Sequence, residues 1–478
     1  MESPTEFMDP IRSEFDFIVI GTGPAGQRAA IQAAKLGKRT LVIEKQVAVG
    51  GVALATGTIP SKTLREAVMH LGGLRQRGLY GPNYRVKQNI TLEDLTFRVN
   101  SVLHNEIEVI DDQLRRNGVD VAHGSASFVN KNTILISTSD SEREVTAKKF
   151  LIAVGSKPAT SSLVPIDGHR IYDTDVLFRM KQLPRTMIIV GAGIIGIEYA
   201  GIFAGLGVKV TLIDMHSQLL DFVDRELVDG LMYHMRERGV AFRLEEHVTE
   251  VRMDKGVVAK TGSGKTIVGD CLLYCVGRQG AVDELGLENI GVQSDSRGRI
   301  AVDEHFRTSA PNVYAAGDVI GFPALAATSM EQGRMAALSA FKMPNENAGN
   351  VIPYGIYTIP EISMVGATEK ELTAESIPYE YGIAKFAETA RGQIIGEDQG
   401  RLKILVHSEN REVLGVHIIG EGATELIHIG QMLIGLDAPL DYLVNNVFNY
   451  PTLAECYKIA ALDVYNKLAD VRRNKSAA

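Results

Sequence analysis

The chain has 478 residues, enough for about three domains of ordinary size, and its 45% apolar and 23% charged residues suit a globular protein with sizeable cores. A net charge of −8 and a pI of 5.8 argue against a polyanion partner, and no apolar run reaches the roughly 18 residues that span a membrane. Three cysteines are too few for a disulfide framework.

Residues 1–6 open a lead-in ending near Glu14 and are acidic and polar, which fits neither a secretory signal nor an Arg-rich transit peptide. A short disordered lead-in and a cytoplasmic address are expected. Next comes Asp16-Phe-Ile-Val-Ile-Gly21-Thr-Gly23-Pro24-Ala25-Gly26, an apolar strand-like run, a G-x-G-x-x-G turn and an alanine-rich helix. In that pattern the first glycine makes the turn, the second lets backbone approach a pyrophosphate, and the third lets helix pack on strand. The pyrophosphate then meets the positive end of the helix. An acid about 20 residues on, here Glu44, suits a ribose.

Residues 60–80 and 92–117 read as helices, and Val119–Phe150 as strands. Phe150-Leu-Ile-Ala-Val-Gly155-Ser-Lys-Pro158 reads as a short buried strand at a crossover between domains. The opening pattern then returns at a constant offset of 170 residues: Gly21, Gly23 and Gly26 become Gly191, Gly193 and Gly196, with Asp214 as the acid. A chain that binds two dinucleotides is built to pass electrons between them. Asp214 suits a free ribose 2′-hydroxyl and repels a 2′-phosphate, a repulsion that His216 and Ser217 can relieve by donating to it. An ordinary surface histidine is the other reading of His216.

Thr261-Gly-Ser-Gly-Lys-Thr266 imitates a phosphate loop, but its first glycine is replaced by Ala259 and its flanks alternate like a hairpin. Cys271, Cys275 and Cys456 lie in apolar contexts and read as inert thiols. His407, His417 and His428 lack ligand spacing, so no metal is expected. A buried strand ends at Asp318, where ligands sit in open α/β sheets, and from Pro353 an α+β module follows without a nucleotide signature.

The ordered chain resembles the flavoprotein disulfide reductases, the group that contains glutathione reductase and dihydrolipoamide dehydrogenase. The resemblance rests on both glycine turns, Gly50-Gly51 with Gly57-Thr58-Ile-Pro-Ser-Lys62, Ala153-Val-Gly155, Gly277-Arg278 and Ala316-Gly317-Asp318. It implies FAD held by Gly21, Gly23, Pro24, Ala25, Gly26, Glu44, Lys45, Gly50, Gly51, Thr58, Lys62, Gly124, Gly155, Gly317, Asp318 and Ala326. It implies NAD or NADP held by Gly191, Gly193, Ile194, Ile195, Gly196, Glu198, Asp214, His216, Gly277 and Arg278. The reactive set it implies is Thr58, Lys62, Glu198, Tyr450 and Glu455, with Lys62 beside the flavin and paired with Glu198.

Those enzymes carry a Cys-x4-Cys where this chain has Ala53 and Thr58, and a His-Pro where it has Tyr450-Pro451. Neither alanine nor threonine forms a nucleophilic thiolate, and a phenol titrating near 10 is a poor proton shuttle at neutral pH. Disulfide reduction is excluded. The threonine and tyrosine changes resemble the soluble pyridine nucleotide transhydrogenase subgroup, although its members commonly keep a cysteine at the position of Ala53.

The fold expected is α/β, with two Rossmann-like dinucleotide-binding domains plus a C-terminal α+β dimerisation domain. The expected division is 15–157 with 278–350 for FAD, 158–277 for NAD(P), and 351–478 for a homodimer, a higher polymer being left open. The function implied is a Si-specific-type NAD(P)+ transhydrogenase with NAD(H) and NADP(H) as substrates. An NAD(P)H oxidase or diaphorase, and a redox-silent flavoprotein scaffold, stand as alternatives.

Overall fold

The computed structural model describes residues 13–344 and 351–477, so nearly all of the expected lead-in lies outside the described residues. They group into two compact units, 13–63 with 97–159 and 277–344, and 64–96 with 160–276 and 351–477.

The first unit is built on a seven-stranded sheet. Asp120–His123, Thr40–Glu44, Glu14–Ile20 and Glu142–Ile152 pair in parallel, and Val313–Ala315 joins the end of the last. Its central strand reads Phe-Ile-Val-Ile without polar alternation because both faces are covered. Ile18 and Ile20 enter one core, and Phe17 and Val19 the other, beneath the helix Pro24–Lys35. The helix Ala326–Ala340 packs on that helix so closely that a Cβ on Gly333 would lie 2.0 Å from the Ala25 carbonyl oxygen.

One short strand is expected at Phe150–Pro158. Instead the strand runs Glu142–Ile152, and after Gly155 a separate strand, Ser156–Pro158, pairs antiparallel with Arg278–Gly280. Gly155 adopts φ +67, which breaks the extended run. Likewise the expected helix 60–80 ends at Leu71, because Gly73 takes φ +61 before two short helical turns.

The second unit repeats the parallel design on a smaller scale. Val240–Arg243, Lys209–Ile213, Thr186–Val190, Cys271–Tyr274 and Ile171–Tyr172 form a five-stranded parallel sheet. Apart from Glu198 the helix Ile194–Gly205 is apolar on every face and buried from Gly196 to Gly205, as a helix enclosed on every side must be. Val257–Thr261 and Thr266–Gly269 form the hairpin that the alternating flanks imply, with Lys265 and Ser263 turned onto Glu246.

From Tyr354 the chain forms a second five-stranded sheet, antiparallel throughout, covered by the helices Ala423–Gly435 and Glu455–Ala477. Lys403 of this sheet is 2% exposed and reaches Asp224, the N-cap of the helix Arg225–Glu237, at 3.1 Å. The buried pair ties this sheet to the start of that helix.

Candidate active site

Equal spacing produces equal turns. Gly21 and Gly191 adopt φ +102 and +105, where any Cβ would strike a neighbouring carbonyl oxygen at 2.4 and 2.6 Å. A Cβ on Gly26 or on Gly196 would stand 1.9 Å from the oxygen of the first glycine of its turn. Glycine is therefore obligatory at both positions. At Gly23 and Gly193 a Cβ would meet nothing within 4 Å, so each middle glycine leaves open space before a helix N-terminus that no side chain caps. Free N–H groups facing open space suit a pyrophosphate, and both turns fit a dinucleotide.

At the first turn Glu44 is 4% exposed. Its Oε2 accepts from the Thr22 N–H at 3.0 Å and from the Thr22 hydroxyl, and its Oε1 accepts from Gln46 N–H at 2.8 Å. The Thr22 hydroxyl in turn accepts from Gly50 N–H at 2.8 Å, which draws Gly50-Gly51 over the turn. A Cβ on Gly51 would come 2.9 Å from the Gly23 Cα. Gly124 donates its N–H to the Glu44 carbonyl, while Lys45 is exposed and pairs with Glu284.

Across the same sheet Asp318 accepts from Ser156 Oγ at 2.8 Å, and Arg278 Nε donates to that Ser156 Oγ at 2.9 Å. Gly317, at φ +82, sends its N–H to Gln332, and Ala326 opens the helix that follows. Arg278 stands in the first unit, linked through Ser156 to Asp318. No motif marks Thr22, Ser156 or Gln332 as part of the site. Only a hydroxyl at the variable position of Gly-x-Gly could have signalled Thr22.

Ala53 lies in the short helix Gly51–Ala55 and Thr58 opens the helix Thr58–Leu71, on which Lys62 is half-buried. The dithiol positions are therefore ordinary helix positions here.

At the second turn Asp214 Oδ2 accepts from Ala192 N–H at 2.6 Å. Its Oδ1 receives His216 N–H at 2.8 Å and lies 2.6 Å from His216 Nδ1. His216 itself is largely exposed. Cys275 lies behind this turn, its Sγ 3.1 Å from the place of a Cβ on Gly196. Burial, with the Asp214 charge second, pushes its thiol up to about 12. Burial likewise raises Cys271 and Cys456 to about 12.

Glu198 is buried, and its Oε1 accepts from Tyr357 N–H at 2.8 Å. Tyr450 is exposed, and Glu455 begins the last helix with Oε2 buried and without a partner. Among the described residues no cluster of His, Cys, Asp and Glu is arranged to hold a metal ion, and no helix is long and apolar enough to cross a membrane.

Known proteins match this arrangement over nearly its whole length. Residues 15–333 match the pyridine nucleotide-disulphide oxidoreductase model, and 352–461 match its dimerisation domain. A soluble pyridine nucleotide transhydrogenase of Mycobacterium tuberculosis is 51% identical, covering 95% of this chain and 98% of that one. One from Escherichia coli is 44% identical over 96% of this chain and the full length of its own. Among solved structures, LpdA of Mycobacterium tuberculosis superposes with TM-score 0.87 at 28% identity, covering 94% of this chain and 99% of its own. The flavoprotein disulfide reductase RclA of Escherichia coli gives 0.84 at 26%, with 94% and 99% covered.

Proposed function

The chain belongs to the pyridine nucleotide-disulphide oxidoreductases, and on that premise we propose that it moves a hydride reversibly between NADPH and NAD+ without a redox disulfide. It is a flavin-dependent oxidoreductase of pyridine nucleotides, with FAD as cofactor and NAD and NADP as substrates. One observation carries the finer reading: both dinucleotide turns are complete, while Ala53 and Thr58 stand where the dithiol of such reductases stands. Electrons that cannot leave through a disulfide return to a nicotinamide.

The division of labour follows the two turns. We assign FAD to 15–157 with 278–350, the nicotinamide nucleotide to 158–277, and homodimer formation to 351–478. When bound, FAD supplies a ring that accepts a hydride from one nicotinamide and gives it to another. The chain's part is to hold and orient. Glu44 and Asp318, both fixed by neutral donors, would take the ribose and ribityl hydroxyls. Lys62 supplies a cation on the flavin side, and Glu198 a buried carboxylate on the nicotinamide side. With one nicotinamide turn, the two substrates use one site in succession, and ping-pong kinetics follow.

Tolerance of both NAD(H) and NADP(H) is assigned to Asp214 and His216. Both oxygens of Asp214 already receive donors from the chain, which blunts its repulsion of a 2′-phosphate. The exposed His216 ring, when protonated, can donate to that phosphate. Replacing His216 should then raise KM for NADPH while KM for NADH stays flat; equal changes for both would remove His216 from the site.

The decisive experiment is anaerobic. Bound FAD is reduced with one equivalent of NADPH, NADP+ is removed, and NAD+ is added. Return of the yellow absorbance with stoichiometric NADH is expected. A flavin that stays reduced until air or a quinone enters would make the protein an oxidase or diaphorase. A flavin that NADPH never bleaches would make it a redox-silent scaffold.

A further inference from the structure

Arg65 is a full-length guanidinium only 2% exposed, one helical turn after Lys62 on Thr58–Leu71. Its Nε donates to the Thr358 carbonyl at 3.0 Å, Nη2 meets Glu361 Oε1 at 3.1 Å, and Nη1 meets Glu66 Oε1 at 2.7 Å. The second oxygen of Glu361 is occupied by the Thr424 hydroxyl at 2.9 Å. Arg238 donates to the next carbonyl, that of Ile359. Two arginines therefore grip consecutive carbonyls of one short segment, and the residue just before it, Tyr357, gives its N–H to Glu198.

A buried ion pair is a poor device for stability, because well-packed apolar side chains of the same volume often do as well or better. What an arginine adds is direction, since its planar fork fixes several acceptors at once. We propose that Arg65 is a positioning residue: it fixes the Tyr357–Glu361 segment and so holds the Glu198 carboxylate in one orientation. The inference rests on the reading that Glu198 serves hydride transfer.

The test is stopped-flow bleaching of the FAD holoenzyme by NADPH without oxygen, for wild type, E198Q, R65K and R65M/E361Q. The double variant removes the arginine together with the carboxylate it would orphan. R65K keeps a charge beside Glu361 but loses the planar fork that fixes several acceptors at once. The limiting rate should fall roughly 10- to 100-fold in the double variant and less in R65K, as for a small misplacement of a reacting group. FAD content and the apparent Kd for NADPH should stay within about twofold, since a lost rate at unchanged binding marks positioning. If E198Q is slow while both Arg65 variants keep the wild-type rate, the inference is overturned and the role of Glu198 stands. If the loss lies in FAD content or Kd, Arg65 is merely structural and the inference also falls. If E198Q is as fast as wild type, the underlying reading of Glu198 fails and takes this inference with it.

Discussion

At the first glycine turn Thr22 gives both its N–H and its hydroxyl to Glu44, and the hydroxyl also accepts from Gly50. At the second, Ala192 gives only its N–H to Asp214, and the remaining donors come from the exposed His216. The two backbones are otherwise alike, down to the φ of the first glycine and the reach of the third. A ligand that must stay and a ligand that must leave can thus be served by the same turn. The difference lies in the side chain at the variable position and in how many neighbours it recruits. Thr22 recruits the loop Gly50-Gly51, whereas the methyl of Ala192 offers no group to recruit one.

The comparison breaks most sharply at the middle glycines. Gly23 and Gly193 have negative φ and open space around the missing Cβ, so G23V and G193V should both fold. G23V should purify colourless. G193V should purify yellow yet resist bleaching by NADH, its affinity down about 100-fold or more, equivalent to roughly 2.7 kcal/mol. A yellow G23V protein would mean that the first turn does not carry FAD.

Thr22 itself is the next lever. T22V leaves a buried carboxylate short of one donor and frees Gly50, a loss of about 1–3 kcal/mol. FAD should dissociate roughly 5- to 150-fold more readily, read by the recovery of flavin fluorescence on dilution. The mirror change A192S touches no ligand group of the first site and should leave FAD retention as it is.

A smaller effect is expected at His216. H216A should lower kcat/KM for NADPH about 10-fold, the worth of one charged hydrogen bond, and leave that for NADH unchanged. Equal losses for both nucleotides would show that His216 shapes the loop rather than reads the phosphate.

The smallest effect concerns sulfur. With burial pushing its thiol up to about 12, Cys275 stays protonated at pH 8 and carries almost none of the thiolate that reacts. Cys271 and Cys456 share that protection. Iodoacetamide at pH 8 should leave activity within about 10% of its starting value, whereas a dithiol enzyme in its reduced form would be inactivated.

What was legible in the sequence was local. Glycines at fixed spacing leave a strand, a turn and a helix no other way to pack, and acids at fixed distance fall at the end of the next strand, so both turns, Glu44 and Asp214 could be read directly. The hairpin at 261–266 was legible for the same reason. What was not legible depends on partners far along the chain. Nothing near Arg65 announces that its acceptor is Thr358, and nothing near Ser156 announces Asp318. The antiparallel pairing of Ser156–Pro158 with Arg278–Gly280 is of the same kind, set by a strand more than a hundred residues away.

The close fit of Gly333 against Ala25 carries a consequence for the order of synthesis. The first turn is made from residues near the start of the chain, but the helix that braces it arrives about 300 residues later. At about 5–20 residues per second the ribosome needs roughly 15–60 s to deliver it. The intervening parallel sheet, whose strands run from Ile171 to Tyr274, is complete about 50 residues before that helix begins. On the assignment of FAD to the first turn, the nascent chain completes its nicotinamide-side sheet before the helix that braces its flavin side.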